Sequence, residues 1–293
     1  MDDQDTPTPP TPVCYRHADR ATRLACSECG KPICADCSHD SAVGQRCPDC
    51  AKPHGRNRVV SSRELQQTSF ATTPVTFTLI GISVVLFAAG FVSTELDLRL
   101  TEYLSLGEFV RQDGFLFIAE MRDVDPWRVL TSAFLHANIT HILFNMYALY
   151  LFGPRLERQA GAVPYALTYG ASAAAGGAVF IALRTGEATL AVGASGAVFG
   201  LFGMWLVAAY RMRGNPAGRA MFNQLAVLLA INGALPFFIR NIAWEAHVGG
   251  LVAGVVIGFL WGQFAAGRPN AVRIRTIISG AVFVIAMAVV ILL

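Results

Sequence analysis

The chain has 293 residues, 54% of them hydrophobic and only 15% charged, with a mean hydropathy of +0.46. Soluble proteins carry about 25% charged residues, so an ordinary soluble globule is excluded, and a net charge of +3 is too small to argue for nucleic acid. The charges are also unevenly placed. The last aspartate is Asp125, the only lysines are Lys31 and Lys52, and all seven cysteines fall between Cys14 and Cys50. A polar, cysteine-rich head therefore precedes a long apolar body.

Residues 1–12, MDDQDTPTPPTP, are acidic and proline-rich. They lack the basic and apolar regions of a signal peptide and read as a disordered tail. Four two-residue knuckles follow: Cys14 with His17, Cys26 with Cys29, Cys34 with Cys37, and Cys47 with Cys50. Zinc takes four nitrogen or sulfur ligands tetrahedrally, and a knuckle lets one turn present two of them. Eight ligands make two closed, structural sites. The short gap between the second and third pairs favours a cross-brace, pairs one and three on one ion and pairs two and four on the other. Disulfides explain an odd number of cysteines poorly. The pattern over residues 13–52 resembles the B-box class of small zinc domains. About 40 residues bury too little core alone, so metal is expected to supply the folding free energy. Thiolate zinc sites fit a reducing compartment, the cytosol. His39 and His54 are left over as solvated residues.

Residues 53–73 read as a polar, basic linker. Beyond them, apolar runs near 75–94, 138–154, 162–183, 195–211, 221–238, 245–265 and 274–293 approach or exceed the ~17–25 residues that cross a bilayer. Long runs rather than alternating ones predict helices, so the body reads as an all-α polytopic membrane protein. The second and fifth runs are the least clear-cut. Connections on the side of the head carry Arg56, Arg58, Arg63, Arg155, Arg158, Arg211, Arg213, Arg219, Arg268, Arg273 and Arg275, which places the head in the cytosol and the C-terminus outside. The segment 95–137, with apolar patches GFLFIAEM and WRVLTSAFLH, reads as a structured loop at the outer surface, partly re-entrant.

Ionisable residues inside membrane helices are costly and are candidate functional groups by default. His141 and Asn145 lie in HANITHILFN with His136, Ser195 in GASG, and His247 in EAHVGG. By this topology all lie at outer helix ends, so they can meet. Ser195 at a helix N-terminus has backbone N–H groups beside it that favour an oxyanion, and His247 is the candidate base. His141 and Asn145, four apart, share a helix face and are candidate oxyanion donors. No aspartate exists in the apolar runs, and Glu245, two residues from His247, points away on a regular helix. The base must then work in a dyad. Singly, a membrane serine packs or bonds to a carbonyl and a histidine bridges helices. Together on three helix ends they argue for chemistry.

GASG with HILFN and AHVGG resembles the rhomboid family of intramembrane serine proteases over about residues 74–266. PWRVLTSAFLH, with Trp127 and Arg128, resembles its loop motif after the first span, and GPRLERQAG the turn into its third helix. The resemblance implies a six-helix core plus one additional C-terminal helix (267–293), with Ser195 as nucleophile and His247 as general base, then acid. His141, Asn145 and the Ser195 backbone N–H would form the oxyanion hole, Gly193 would keep the approach to Ser195 open, and Arg128 would organise the loop. Phe199 stands where many members carry tyrosine beneath the histidine. The implied substrate is the transmembrane segment of another protein in the lipid bilayer, cleaved near its outer end at a small residue where the helix unwinds. Localisation would be the plasma (inner) membrane. His136 and Asn138 at the rim would help admit water, and the glycine and proline near the outer end of the fifth span suit a lateral gate. Aspartyl and HExxH proteases lack their residues here, and a transporter lacks a carboxylate pathway. The remaining alternative is a catalytically silent relative that binds membrane-protein clients. Two structural zinc ions are the only cofactors expected. A cytosolic protein partner is one role open to the zinc domain.

Overall fold

The computed structural model describes residues 11–40, 44–51, 71–113, 115–239 and 242–293. Residues 1–10 of the expected tail, most of the linker, His54, and Arg56, Arg58 and Arg63 lie outside the described residues. The chain divides into two units, Met1–Gln67 and Thr68–Leu293.

The first unit is two small hairpins and a turn of helix. Strands β1 (Val13–Cys14) and β2 (His17–Ala21) pair antiparallel, as do β3 (His39–Asp40) and β4 (Gln45–Arg46), and helix α1 spans Pro48–Ala51. Its buried apolar cluster consists of Ile33 and five of the cysteines. One isoleucine cannot offset the backbone entropy of about 40 residues, so the cysteines must be tied together.

The second unit is mostly helical. Helices α2 (Pro74–Val92), α3 (Thr94–Leu104), α4 (Arg128–Thr131), α5 (Ile139–Ala160), α6 (Ala162–Arg184), α7 (Ser195–Arg211), α8 (Pro216–Ala234), α9 (Trp244–Phe264) and α10 (Ala271–Leu292) follow in order. Among the described residues, five helical segments are long and apolar enough to cross a membrane: Pro74–Val92, Ala162–Arg184, Pro216–Phe237, Trp244–Phe264 and Ala271–Leu292. The fifth expected run is among them. The second, α5, is not, because the helix continues through Pro154 into the charged residues Arg155, Glu157 and Arg158. Nor is α7, which has 17 residues.

Glu157 explains why α5 runs past its apolar stretch. Buried at 2% exposure, its carboxylate accepts the N–H groups of Val75 at 2.9 Å and Thr76 at 2.8 Å and the Thr76 hydroxyl at 2.7 Å. A carboxylate on the orphan donors of a helix start is favourable, and this one fastens α2 to α5.

Helix α7 is the buried centre, touching α5, α6, α8 and α9. Its seam with α9 is backbone on backbone: a Cβ on Gly250 would lie 1.9 Å from the Gly196 carbonyl oxygen, and one on Gly254 the same distance from that of Gly200. Without a hydrophobic drive between helices in lipid, such small residues allow the close approach that dispersion needs. Helix α10 packs along α6, where the buried hydroxyls of Thr168 and Ser279 meet at 2.9 Å.

The body is mostly helical, as expected, and adds a small sheet between α3 and α4 and before α7. Strands β5 (Leu106–Gln112), β6 (Phe115–Ala119) and β7 (Leu190–Ala191) form an antiparallel sheet in the order β6-β5-β7. Within the patch GFLFIAEM, Phe115–Ala119 is thus half of a hairpin, whose backbone groups satisfy one another. Arg128 holds the end of this region, donating to the carbonyls of Glu102 at 2.7 Å and Ser105 at 3.1 Å and to Asp125 at 3.0 Å.

Candidate active site and metal centres

Ser195 is the first residue of α7, so the N–H groups of its first turn have no partners within the helix. The loop before it is set by Gly193, which has φ +122° and donates its N–H to the Ser132 carbonyl at 2.9 Å. That conformation suits glycine. Space requires it as well, because a Cβ there would lie 2.6 Å from both Cε1 and Nε2 of His141. His247, in the first turn of α9, places Nε2 2.9 Å from Ser195 Oγ. Its ring lies flat on Phe199, with centroids 4.3 Å apart and planes 9° from parallel. The Gly250–Gly196 contact one turn below fixes the spacing of the two helices.

His141 accepts the Ala137 N–H at Nδ1 over 3.4 Å. That bond assigns the ring proton to Nε2, the atom facing Gly193. Asn145 is buried one turn further on and donates its amide to the His141 carbonyl at 3.0 Å. Part of its donor capacity is therefore spent within its own helix. The two rim residues are placed differently from each other. Asn138 caps α5, accepting the His141 N–H at 2.9 Å. His136 is buried edge-on against His141, with centroids 5.1 Å apart, so it is a wall of the site and not a free polar rim. Beside Ser195 lies a cavity of about 30 Å³, lined in part by Ser132, Ala133, Gly193 and Ala246, room for roughly one water or a small side chain.

Glu245 turns away from His247, as a helix requires. Its buried carboxylate accepts Arg184 Nε at 2.7 Å and Nη2 at 2.6 Å, and Arg184 also reaches Glu187 at 2.8 Å. This clamp ties the start of α9 to the end of α6 just before His247. The only signal for it in the sequence is a pair of opposite charges at the ends of two apolar runs, too common to assign.

In the first unit two clusters bring ligand atoms within 4.8 Å of one another: Cys14, His17, Cys34 and Cys37, and Cys26, Cys29, Cys47 and Cys50. The knuckles are paired first with third and second with fourth. His17 Nδ1 lies 3.8, 3.4 and 3.4 Å from the sulfurs of Cys14, Cys34 and Cys37, and Cys29 and Cys47 sulfurs are 3.8 Å apart. A tetrahedron with bonds of ~2.3 Å to sulfur and ~2.0 Å to nitrogen has edges of about 3.5 Å (N to S) and 3.8 Å (S to S), so both clusters fit such an ion. Backbone N–H groups of Cys47 and Cys29 hold the Cys26 thiol down at about 6. Hydrogen bonding from the neighbouring Cys47 sulfur pushes Cys50 up. Four crowded thiols cannot all ionise without a cation, and a divalent ion removes that conflict.

Comparison with known proteins places this geometry. Residues 124–264 match the Rhomboid domain family model. The chain is similar to YdcA of Bacillus subtilis (strain 168), 38% identical over 136 residues covering 46% of this chain and 66% of that one. It is similar to the rhomboid protease GluP of the same organism, 34% identical over 163 residues, 56% of this chain and 30% of that one. RHOMBOID-like protein 6, mitochondrial, of Arabidopsis thaliana is 33% identical over 168 residues, 52% of each chain. The matched segments thus span between 30% and 66% of these relatives' lengths. The family match, which contains Ser195, His247, His141 and Asn145, and these relatives together support the rhomboid family for this chain.

Proposed function

We propose that the protein is an intramembrane serine endopeptidase that cleaves transmembrane segments of other proteins with a Ser195–His247 dyad. The observation that carries this reading is the 2.9 Å contact between Ser195 Oγ and His247 Nε2 at the start of α7. Ser195 donates its proton to Nε2 as Oγ attacks the scissile carbonyl, and His247 returns it to the leaving amine. With no carboxylate behind it, His247 is oriented by the Phe199 face and by the close α7–α9 seam. The oxyanion is taken by the Ser195 N–H, by His141 Nε2–H and by the remaining amide hydrogen of Asn145. The cavity beside Ser195, walled by alanine and glycine, supports cleavage after a small residue.

All seven long helices, α2 and α5 to α10, cross the bilayer in this reading, α10 being added to a six-helix core over residues 74–266. The shorter α7 is mostly buried among its neighbours, whereas α5 turns Leu143, Phe144, Tyr147 and Leu151 outward as a lipid-facing side. The arginine-rich connections put the first unit, at residues 13–52, in the cytosol of a cell bounded by the plasma (inner) membrane and the C-terminus outside. Its two clusters hold zinc as B-box-like structural sites, since four thiolates, or three with an imidazole, suit that ion and leave no open position for catalysis. A cytosolic partner is the role proposed for this unit.

The test is labelling of the detergent-solubilised protein with a serine-directed fluorophosphonate, alongside cleavage of a transmembrane reporter. Wild type should label and cleave, whereas Ser195→Ala and His247→Ala should lose both by at least about a thousand-fold. Labelling that survives Ser195→Ala, or wild-type protein that folds but neither labels nor cleaves, would sink the reading, the latter in favour of a client-binding relative.

A further inference from the structure

The two ends of the helical unit treat arginine differently. At the end carrying Ser195, five arginines are ion-paired: Arg99 with Glu95, Arg111 with Glu102, Arg122 with Glu120, Arg128 with Asp125, and Arg184 with Glu187 and Glu245. At the opposite end, where α5, α7 and α9 finish and α8 and α10 begin, Arg158 is partnered, but Arg155, Arg211, Arg213, Arg268, Arg273 and Arg275 form no ion pair among the described residues. The one acidic side chain there, Glu157, is buried and committed to the start of α2. Arg211 instead donates to the Gly262 carbonyl at 3.0 Å and Arg275 to that of Gln159 at 2.6 Å. Arg213 lies 3.5 Å from the Tyr210 ring centroid and Arg155 5.4 Å from that of Trp205. Carbonyls and rings satisfy N–H groups but cancel no charge. The exposed side chains of Arg268 and Arg273 make no hydrogen bond or ion pair among the described residues.

We propose that this end is a binding belt for anionic phospholipid, the phosphodiester headgroups supplying the negative charge that these arginines lack among the described residues. A guanidinium fork matches a phosphate bidentately and sheds its water readily. The neighbouring surface argues for lipid over free phosphate: Val163, Phe264 and Val272, one or two turns or fewer from these arginines in sequence, are each more than half exposed. Headgroup and acyl chain therefore meet complementary chemistry side by side. The inference needs the chain to sit in a membrane but does not depend on proteolysis.

The full chain, purified in a neutral detergent, would be titrated with dioleoyl phosphatidylglycerol and with dioleoyl phosphatidylcholine, bound lipid being counted by native mass spectrometry. Wild type should prefer phosphatidylglycerol by at least about a hundred-fold. Each arginine removed should weaken its retention about five-fold, so the combined variant Arg213→Gln, Arg268→Gln, Arg273→Gln should lose about a hundred-fold, with phosphatidylcholine unchanged. The matching lysine variant, which keeps the charge, should lose only a few-fold. Arg99→Gln with Arg122→Gln, at the other end, should lose nothing. Three results would overturn the proposal: no headgroup preference in wild type, equal loss from the two ends, or displacement of the lipid by millimolar inorganic phosphate, which would assign the belt to a soluble anion.

Discussion

The two units of this chain reach order by opposite means. The first has one fully buried isoleucine and packs its cysteines, so its structure depends on eight ligand atoms converging on two points. The second has so many small residues that backbone meets backbone across α7 and α9, and Ser195 and His247 sit in the first turns of those two helices. A unit with little apolar surface is ordered by ligation. A unit with an excess of it is ordered by how closely it can pack, and polar atoms are released for chemistry.

Zinc removal should separate the two most sharply. Chelation, or Cys26→Ser, should unfold the first unit completely while leaving the thermal midpoint of the helical unit unchanged, as read by circular dichroism and tryptophan fluorescence. A helical unit that melted with the first would break the comparison. Acid should act in the same direction. The Cys26 thiol lies below its usual value in the folded state, so its contribution is fully present above the ordinary thiol range and lost as pH falls through about 6. A bound cation holds the thiolate lower still, so zinc release followed with a colorimetric chelator should rise as pH falls below about 6 and not on the alkaline side.

Gly250→Val should affect the second unit alone. The new side chain cannot fit 1.9 Å from the Gly196 carbonyl, so α9 must move away from α7. The expected cost is about 3 kcal/mol together with loss of Ser195 labelling, while zinc content stays at two per chain. Retained labelling would show that the seam does not set the Ser195–His247 distance. Phe199→Ala is the mildest test. It removes the face on which His247 lies and should slow labelling about ten-fold with little change in melting. Phe199→Tyr should stay within a few-fold of wild type.

What was legible in the sequence follows the same division. The knuckle spacing names ligands directly, because two residues between cysteines is a local geometric requirement. Ser195, His141 and His247 stood out because polar groups in apolar helices are few. The β6-β5-β7 sheet was not legible, since β5 takes its partner β7 from about 80 residues away and FLFIA does not alternate in burial. Glu157 and the Arg184–Glu245 clamp were missed for a related reason. Each bonds to a partner remote in sequence, and the periodicity of one helix says nothing about the terminus of another. His136 was misplaced at a rim because its burial depends on how the loop before α5 folds back onto His141.

The length of α7 has a consequence beyond packing. Its 17 residues rise ~25 Å, whereas the hydrocarbon core of a bilayer is ~30 Å thick. In the proposed topology, with Arg211 at one headgroup layer, Ser195 would stop ~5 Å short of the other. The helix is then a ruler: a peptide bond qualifies for attack by its depth along the membrane normal before its side chains are read. Inserting one residue between Ala208 and Tyr210 would recalibrate that ruler without touching a single atom of the site.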